Sequence, residues 1–287
     1  MATMRAIKKR ISSVKNTKKI MKAMNLVATS KLQKARSRLE RMRPLTTSLD
    51  DVMDSIKACV DDYEEIDFCR KREVKNIAYV VFTSDRGLCG SYNANVLKEA
   101  LALVEANGDK QEKIITVGKK GWEYFSRRGK RIEHRSPAAS ETTSFTEAEA
   151  LGLLVAEMFL SGEVDEVYLI STRFQTVLSH IPNTSKLLPF KAEDDGKTDG
   201  GSFSMSFDPD PASFIQHAIP MFLNISIFAA MLESSVCEHA SRMTSMDAAT
   251  RNATEIIDKL TLEFNRVRQS KITQELIEIV TGANAVK

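Results

Sequence analysis

The stretch SDRGLCGS, Ser84 to Ser91, stands between a run of strand-forming residues and a run of helix-forming ones. A nucleotide-binding fold keeps its phosphate loop at that place, where glycines let backbone N–H groups close around phosphate oxygens at a helix start. The stretch lacks both the Lys-Ser/Thr that completes a P-loop and the third glycine of a dinucleotide loop. It reads first as a tight strand-to-helix turn beside a helix packing surface, with a nucleotide site as the minor alternative. No Ser, His and Asp set can be assembled: His134 and His180 fall near strands, and His217 and His239 on the last helix. His239 occupies a seam position, where a polar residue that sets register is the plainer reading than a catalytic base. Cys59, Cys69, Cys89 and Cys237 form no CxxC pair and have no histidine at ligand spacing, so they are read as reduced structural thiols, without a metal or another cofactor. The residue types therefore name no catalytic group.

Charge gives a second lead. Residues 1 to 43 carry 14 Lys and Arg against one acid, Glu40; subtracting these from the chain totals of 41 and 38 leaves 27 basic and 37 acidic residues elsewhere. A basic arm on an acidic body marks a segment that meets an anionic surface, whether nucleic acid, lipid or an acidic protein ring. Clustered Lys and Arg permit contact with nucleic-acid phosphates, so a basic coiled-coil protein that binds nucleic acid is one alternative. Against it, no Phe, Tyr or Trp occurs between Met1 and Arg43, which removes base stacking though not a groove contact.

These residues need elements to hold them. Met4, Ile7, Ile11, Val14, Lys18, Met21, Asn25, Ala28, Leu32, Ala35, Leu39 and Met42 recur three and four apart, a heptad seam that continues through Leu49, Met53, Ile56 and Val60. The spacing predicts a helix of about 55 residues within residues 1–60, roughly 80 Å long at 1.5 Å per residue, bent at Pro44. A second seam runs from Phe222 through Ile225, Ala229, Leu232, Val236, His239, Met243, Met246, Thr250, Ala253, Ile257, Leu260 and Phe264 to Val267. It predicts a longer helix over residues 211–287, capped near Asp210, kinked at Pro220, regular to about Val280 and stopped by Gly282. Neither stripe can be shielded by one helix alone, so the two should pair, antiparallel because the intervening domain joins them at one end. After Val267 the apolar residues Ile272, Leu276, Ile277, Ile279 and Val280 leave the seam's phase, as expected of a tip enclosed by something broader than one helix. Simple fraying with a local cluster is the alternative.

Residues 74–190 change period. Strands are expected at Ile77–Thr83, Lys113–Val117, Glu166–Arg173 and Val177–Leu188, and helices at Asn93–Ala106, Lys119–Arg128 and Ser144–Ser161, the last opened by a capping box of Ser144 and Glu147. Alternation of this kind predicts a βαβ layout. The Gly-, Asp- and Ser-rich residues 191–210 read as an exposed loop. No run of 18 apolar residues occurs, the most apolar stretch being Met221–Leu232, so no direct membrane insertion is expected. The opening MATMRAIKKR has no secretory pattern, which suggests a cytoplasmic compartment.

Three segments together carry a family likeness: ISSVKNTKKIMKAMNLVATSKLQKAR (Ile11–Arg36), TSDRGLCGSYN (Thr83–Asn93) and RQSKITQELIEIVTGA (Arg268–Ala283). Over essentially the whole chain the sequence resembles the gamma subunit of the F-type ATP synthase, bacterial type. Ile272, Thr273, Glu275, Glu278, Gly282 and Ala283 carry the ending's signature, and Ser91 stands where the family usually has glycine. The resemblance implies an antiparallel coiled coil of the terminal helices with an inserted Rossmann-like α/β domain. It also implies a non-catalytic central rotor stalk, which couples rotation of the membrane c-ring to ATP synthesis or hydrolysis on three alpha and three beta subunits. The epsilon subunit is a further implied partner, and the cytoplasmic side of the bacterial membrane the implied place. Carried over by position, Arg268 and Gln269 meet the beta subunit's catch loop, while Arg242, Thr273 and Glu275 are tied to coupling. Met24 packs near an acidic loop of beta, and Met205 and Phe207 contact the epsilon subunit or the rotor ring. The cysteine pair of the photosynthetic relatives is missing.

Overall fold

The computed structural model describes residues 3–57, 66–140, 142–190 and 211–285; the expected loop 191–210, with Met205 and Phe207, and Cys59 lie outside the described residues. The element order is α1 (Met4–Lys57), β1 (Asn76–Phe82), α2 (Tyr92–Ala106), β2 (Gln111–Val117), α3 (Lys119–Ser126), β3 (Ile132–Ser136), α4 (Phe145–Leu160), β4 (Glu166–Phe174), β5 (His180–Leu188) and α5 (Pro211–Ala285). Two compact units divide the chain: a helical one, made of residues up to 28 with those from 243 onward, and an α/β one made of residues 29–242.

In the helical unit the seam is where its spacing placed it. Ile7 and Ala28 of α1 and Met246, Ala253 and Leu260 of α5 are buried, while the seam positions between them are half-buried. Asn25, polar at a seam position, donates from Nδ2 to the Met243 carbonyl at 2.8 Å. Thr250 turns its hydroxyl back to the Met246 carbonyl at 2.7 Å. Asn25 sits at the C-terminal end of its segment and Met243 at the N-terminal end of the other, so the two segments run antiparallel. Burial ends at Val267; from Arg268 to Asn284 every residue is exposed. Gly282 does not stop the helix, which continues to Ala285. A glycine costs a helix only about 1 kcal/mol, and with no left-handed cap formed the turn simply propagates.

The α/β unit is built on one five-stranded sheet in the order β3-β2-β1-β4-β5, with β1 to β4 parallel and β5 antiparallel on the edge. Alternate residues of β1 face opposite ways. Ala78, Val80 and Phe82 join α4 and the first part of α5 through Leu151, Val155, Phe159, Leu223 and Ile227. Ile77, Tyr79 and Val81 pack on α2 and α3 through Val96, Ala100, Val104 and Phe125. Helices therefore cover both faces, and near-continuous apolar runs such as NIAYVVF follow from that double burial. Leu32, Ala35 and Leu39 of α1 are buried in the same unit. Helices α4 and α5 approach closely at Gly152, where a Cβ would stand 1.9 Å from Asn224 Oδ1.

Several expectations need correction. Strand β3 was not anticipated, because IEHRS has one large apolar residue and pairs on one side only. β5 begins at His180 and not Val177; Thr176 N–H donates to the Ser179 carbonyl at 2.9 Å and closes a hairpin turn first. Helix α3 ends at Ser126, before a turn in which Gly129 adopts φ +69°. Ser144 does occupy the N-cap of α4 with extended backbone, but its side chain caps nothing, so the capping box is not formed. Pro44 and Pro220 lie inside their helices. One 18-residue window of α5 has a mean hydropathy of 1.5, apolar enough to cross a membrane by length and composition, yet 61% of it is buried within the protein. That pattern fits a core helix.

Candidate functional site: the signature loop, its clasp and the helical tip

The loop after β1 is held together by its own side chains. Ser84 N–H donates to Asn93 Oδ1 at 2.9 Å, and Ser84 Oγ to the Arg86 carbonyl at 2.7 Å. Asn93 Nδ2 in turn reaches Ser84 Oγ at 2.7 Å and Cys89 Sγ at 3.1 Å. Between them Leu88 and Gly90 take φ +64° and +55°. Leu88 in the left-handed region is a strained choice for a side chain with a Cβ, tolerated because both ends of the turn are pinned. The turn points Cys89 inward against Tyr92 and Cys237. Burial pushes the Cys89 and Cys237 thiols up, so neither is poised as a nucleophile.

Arg242, the last residue of the α/β unit, clasps this loop to α5. Its Nη2 stands 2.7 Å from Glu238 Oε1 and donates to the carbonyls of Arg86 at 3.2 Å and Gly87 at 3.4 Å. Its Nη1 lies 3.3 Å from His239 Nδ1. Glu238 and Arg242 side chains are each only 11% exposed. Burial raises the Glu238 pKa, and the Arg242 charge and hydrogen bond oppose the shift. His239 is thus a buried partner of the clasp within the α/β unit.

Two of the backbone donors near the turn are already used. Ser84 N–H is taken by Asn93, and the first N–H of α3, on Lys119, goes to Asp85 Oδ1 at 2.8 Å, which also accepts from Ala138 N–H at 3.3 Å. The geometry of Ser84–Ser91 is that of a packed strand-to-helix turn tied by its own side chains. Among the described residues no group of three His, Cys, Asp or Glu side chains could hold a metal ion.

The remaining expected site residues belong to the helical unit. Arg268, Gln269, Thr273 and Glu275 lie on the exposed end of α5. Thr273 Oγ1 donates to the Gln269 carbonyl at 3.0 Å, and Glu275 stands 3.6 Å from Lys271 Nζ. These contacts are within one helix and leave the tip's outer surface open. Met24 is half-buried beside Asn25, hence near Met243. At 1.5 Å per residue that is roughly 38 Å along α5 from Arg268, so Met24 and the tip residues form two separate zones. The clasp partners Glu238 and Asn93 were missed in the sequence. The i, i+4 spacing of Glu238 and Arg242 was the available signal for the first, and nothing marked the second.

A family model described as ATP synthase matches residues 3–286. The ATP synthase gamma chain of Alkaliphilus metalliredigens is 39% identical over 288 residues, 99% of each chain. That of Desulforamulus reducens is 39% identical over 287 residues, with both chains covered in full. Among solved structures, a chain of the Euglena gracilis mitochondrial ATP synthase OSCP/F1/c-ring assembly has a TM-score of 0.70 at 17% identity, over 99% of this chain and 94% of that one. One from the central stalk/c-ring of Tetrahymena thermophila mitochondrial ATP synthase has a TM-score of 0.59 at 24% identity, over 80% and 99%. At such identities the structures speak for the fold, which is the expected one; the nucleic-acid alternative finds no support among these relatives. Matched along nearly its whole length, and at 39% identity to relatives of its own size, the chain belongs to the ATP synthase gamma chain family.

Proposed function

We propose that this chain is the central rotor stalk of an F-type ATP synthase, and that it couples ion-driven rotation of a membrane ring to ATP synthesis or hydrolysis in a surrounding alpha and beta hexamer. The observation that carries the reading is the end of α5 in a full-length family member. Ile272, Leu276, Ile277, Ile279 and Val280 are all about half-exposed or more, on a helix end that no other described residue covers. Those five side chains span an arc of roughly 160° at 100° per residue, wider than the narrow seam a single partner helix takes. A collar of several subunits fits that arc.

The stalk does no chemistry of its own; catalysis resides on the beta subunits. A shaft with different residues on each face presents a different surface to each of three otherwise identical partners, and differential contact is what shifts their conformational equilibria. Turning the shaft exchanges those surfaces. In this scheme Arg268 and Gln269 meet beta at the tip, with Thr273 and Glu275 contributing to coupling there, while Met24 faces an acidic loop of beta farther down. Arg242 acts through the rigidity of the clasp. Met205 and Phe207 serve the contact with the epsilon subunit or the ring. The complex sits peripherally on the cytoplasmic face of a bacterial membrane.

Met24→Lys tests the assignment: it adds an ion pair with the acidic loop and should lower proton pumping per ATP hydrolysed in membrane vesicles. Unchanged coupling would refute the role of Met24. Purification under native conditions tests the whole reading, which fails if no ATP-hydrolysing hexamer accompanies the chain.

A further inference from the structure

We propose that the cleft at the carboxyl ends of β1, β2 and β3 binds a polyphosphate anion through the side chains of Arg86, Lys119 and Arg135. The cleft has a volume of about 550 Å³ and is lined by Asp85, Arg86, Lys119, Arg135, Ser136 and Pro137. That volume is within the range of small-molecule sites, and the carboxyl ends of parallel strands are where doubly wound sheets hold ligands. Three cations there face one acid. The acid is engaged by the backbone: Asp85 accepts hydrogen bonds from the N–H groups of Lys119 and Ala138. Lys119 reaches Glu123 at 3.6 Å on an exposed flank. Among the described residues Arg86 and Arg135 have no carboxylate within salt-bridge distance.

The backbone that carries Arg86 and the guanidinium of Arg135 are held in place, which lowers part of the ordering cost of binding. The Arg86 carbonyl is fixed by Ser84 Oγ and by Arg242 Nη2. Arg135 lies in β3, opposite Thr116 of β2, and its guanidinium sits over the Trp122 ring, 4.7 Å from the centroid. Three positive groups brought in from three strand ends suit an anion with several charged centres better than a single carboxylate. Recognition by these side-chain charges should be sensitive to salt.

Trp122 is the only tryptophan in the chain and so reports on its neighbour Arg135. The test titrates the full chain with pyrophosphate and with ATP, reading Trp122 emission against sodium sulfate at equal ionic strength. A saturable change with both identifies the polyphosphate as the ligand group; saturation with ATP alone would make it specifically a nucleotide's. Arg86→Gln, which leaves the backbone bonds and Trp122 untouched, should weaken binding roughly two- to fivefold, as expected for one exposed charge. The double variant Arg86→Gln with Lys119→Gln should weaken it roughly tenfold. The ³¹P line width of pyrophosphate gives a second readout that does not depend on Arg135. No saturation, or a response that sulfate matches, overturns the proposal. So does saturation by hexaglutamate but not by pyrophosphate, which would reassign the cleft to an acidic protein segment.

Discussion

Helix α5 lives in two environments. From Ser234 to Ser241 every residue is buried, and Glu238, His239 and Ser241 meet the polar side chains of Arg242 and His180. From Arg268 to Asn284 every residue is exposed, five large aliphatics among them. A helix buried all round belongs to a core, and one exposed all round with that many aliphatics belongs to an interface. The contrast separates two kinds of motif. The signature loop and Arg242 pack inside the protein, where removing them should cost stability; the C-terminal motif faces outward, and under the proposed function removing it should cost assembly.

The largest effect should come from the interior, at Gly118. Its φ of +100° is one that side chains rarely adopt, and a Cβ there would stand 2.1 Å from the Thr83 carbonyl oxygen. Since the obstacle is backbone at the end of a central strand, nothing can swing aside. Gly118→Ala should lose about 3–4 kcal/mol in urea denaturation followed by Trp122 emission. A loss under 1 kcal/mol would mean that the β2 to α3 junction relaxes freely.

Arg242→Ala comes next, at about 2–3 kcal/mol near neutral pH, because it strands Glu238 and two carbonyls. Its pH dependence has a definite sign. Burial raises the folded-state pKa of Glu238 above its ordinary value of 4.5, and Arg242 partly offsets that. A raised carboxyl contributes stability that is whole below the unfolded pKa and is lost as pH climbs through the folded one. Without Arg242 the folded value rises further and the loss extends to higher pH. The gap between parent and variant should therefore be small near pH 4 and widen as pH rises from there. Glu233, also raised by burial, is common to both proteins and cancels. Urea midpoints at four pH values give the answer, and a gap that does not change with pH would uncouple the two residues.

The contrast along α5 also explains what could be read beforehand. The seams were legible because knobs three and four apart have one geometric meaning, so Ile7, Ala28, Leu32, Ala253 and Leu260 fell where their spacing put them. The parallel strands were legible because both their faces are covered. Strand β3 was hidden by its edge position, and Gly282 misled because a stop signal works only where a left-handed cap forms. Glu238 was hidden for a different reason: a charge in a helical pattern reads as solvated unless the partner that buries it is known. The clasp joins residues about 155 positions apart in the chain, as Arg242 with Gly87, and no local pattern encodes such a meeting. The tip was legible only as an anomaly of phase.

Two smaller substitutions in the helical unit bring the comparison to its sharpest point. Leu260 is 8% exposed at the seam, and Leu260→Ala should cost about 2–3 kcal/mol, seen as an earlier loss of helical circular dichroism. Trp122 emission, which reports the α/β unit, should follow at its parental urea concentration. Leu276→Ser combined with Ile279→Ser should do almost nothing to the isolated chain, within about 0.5 kcal/mol by either probe, since both side chains already face water. Under the proposed function the same double variant should recover much less of its partner hexamer in native purification, because it deletes apolar area that the collar would bury. Loss of stability in the isolated chain would show that the tip packs on its own protein, and undiminished recovery would show that these side chains meet nothing in the complex. Either result would erase the distinction between the two stretches of α5.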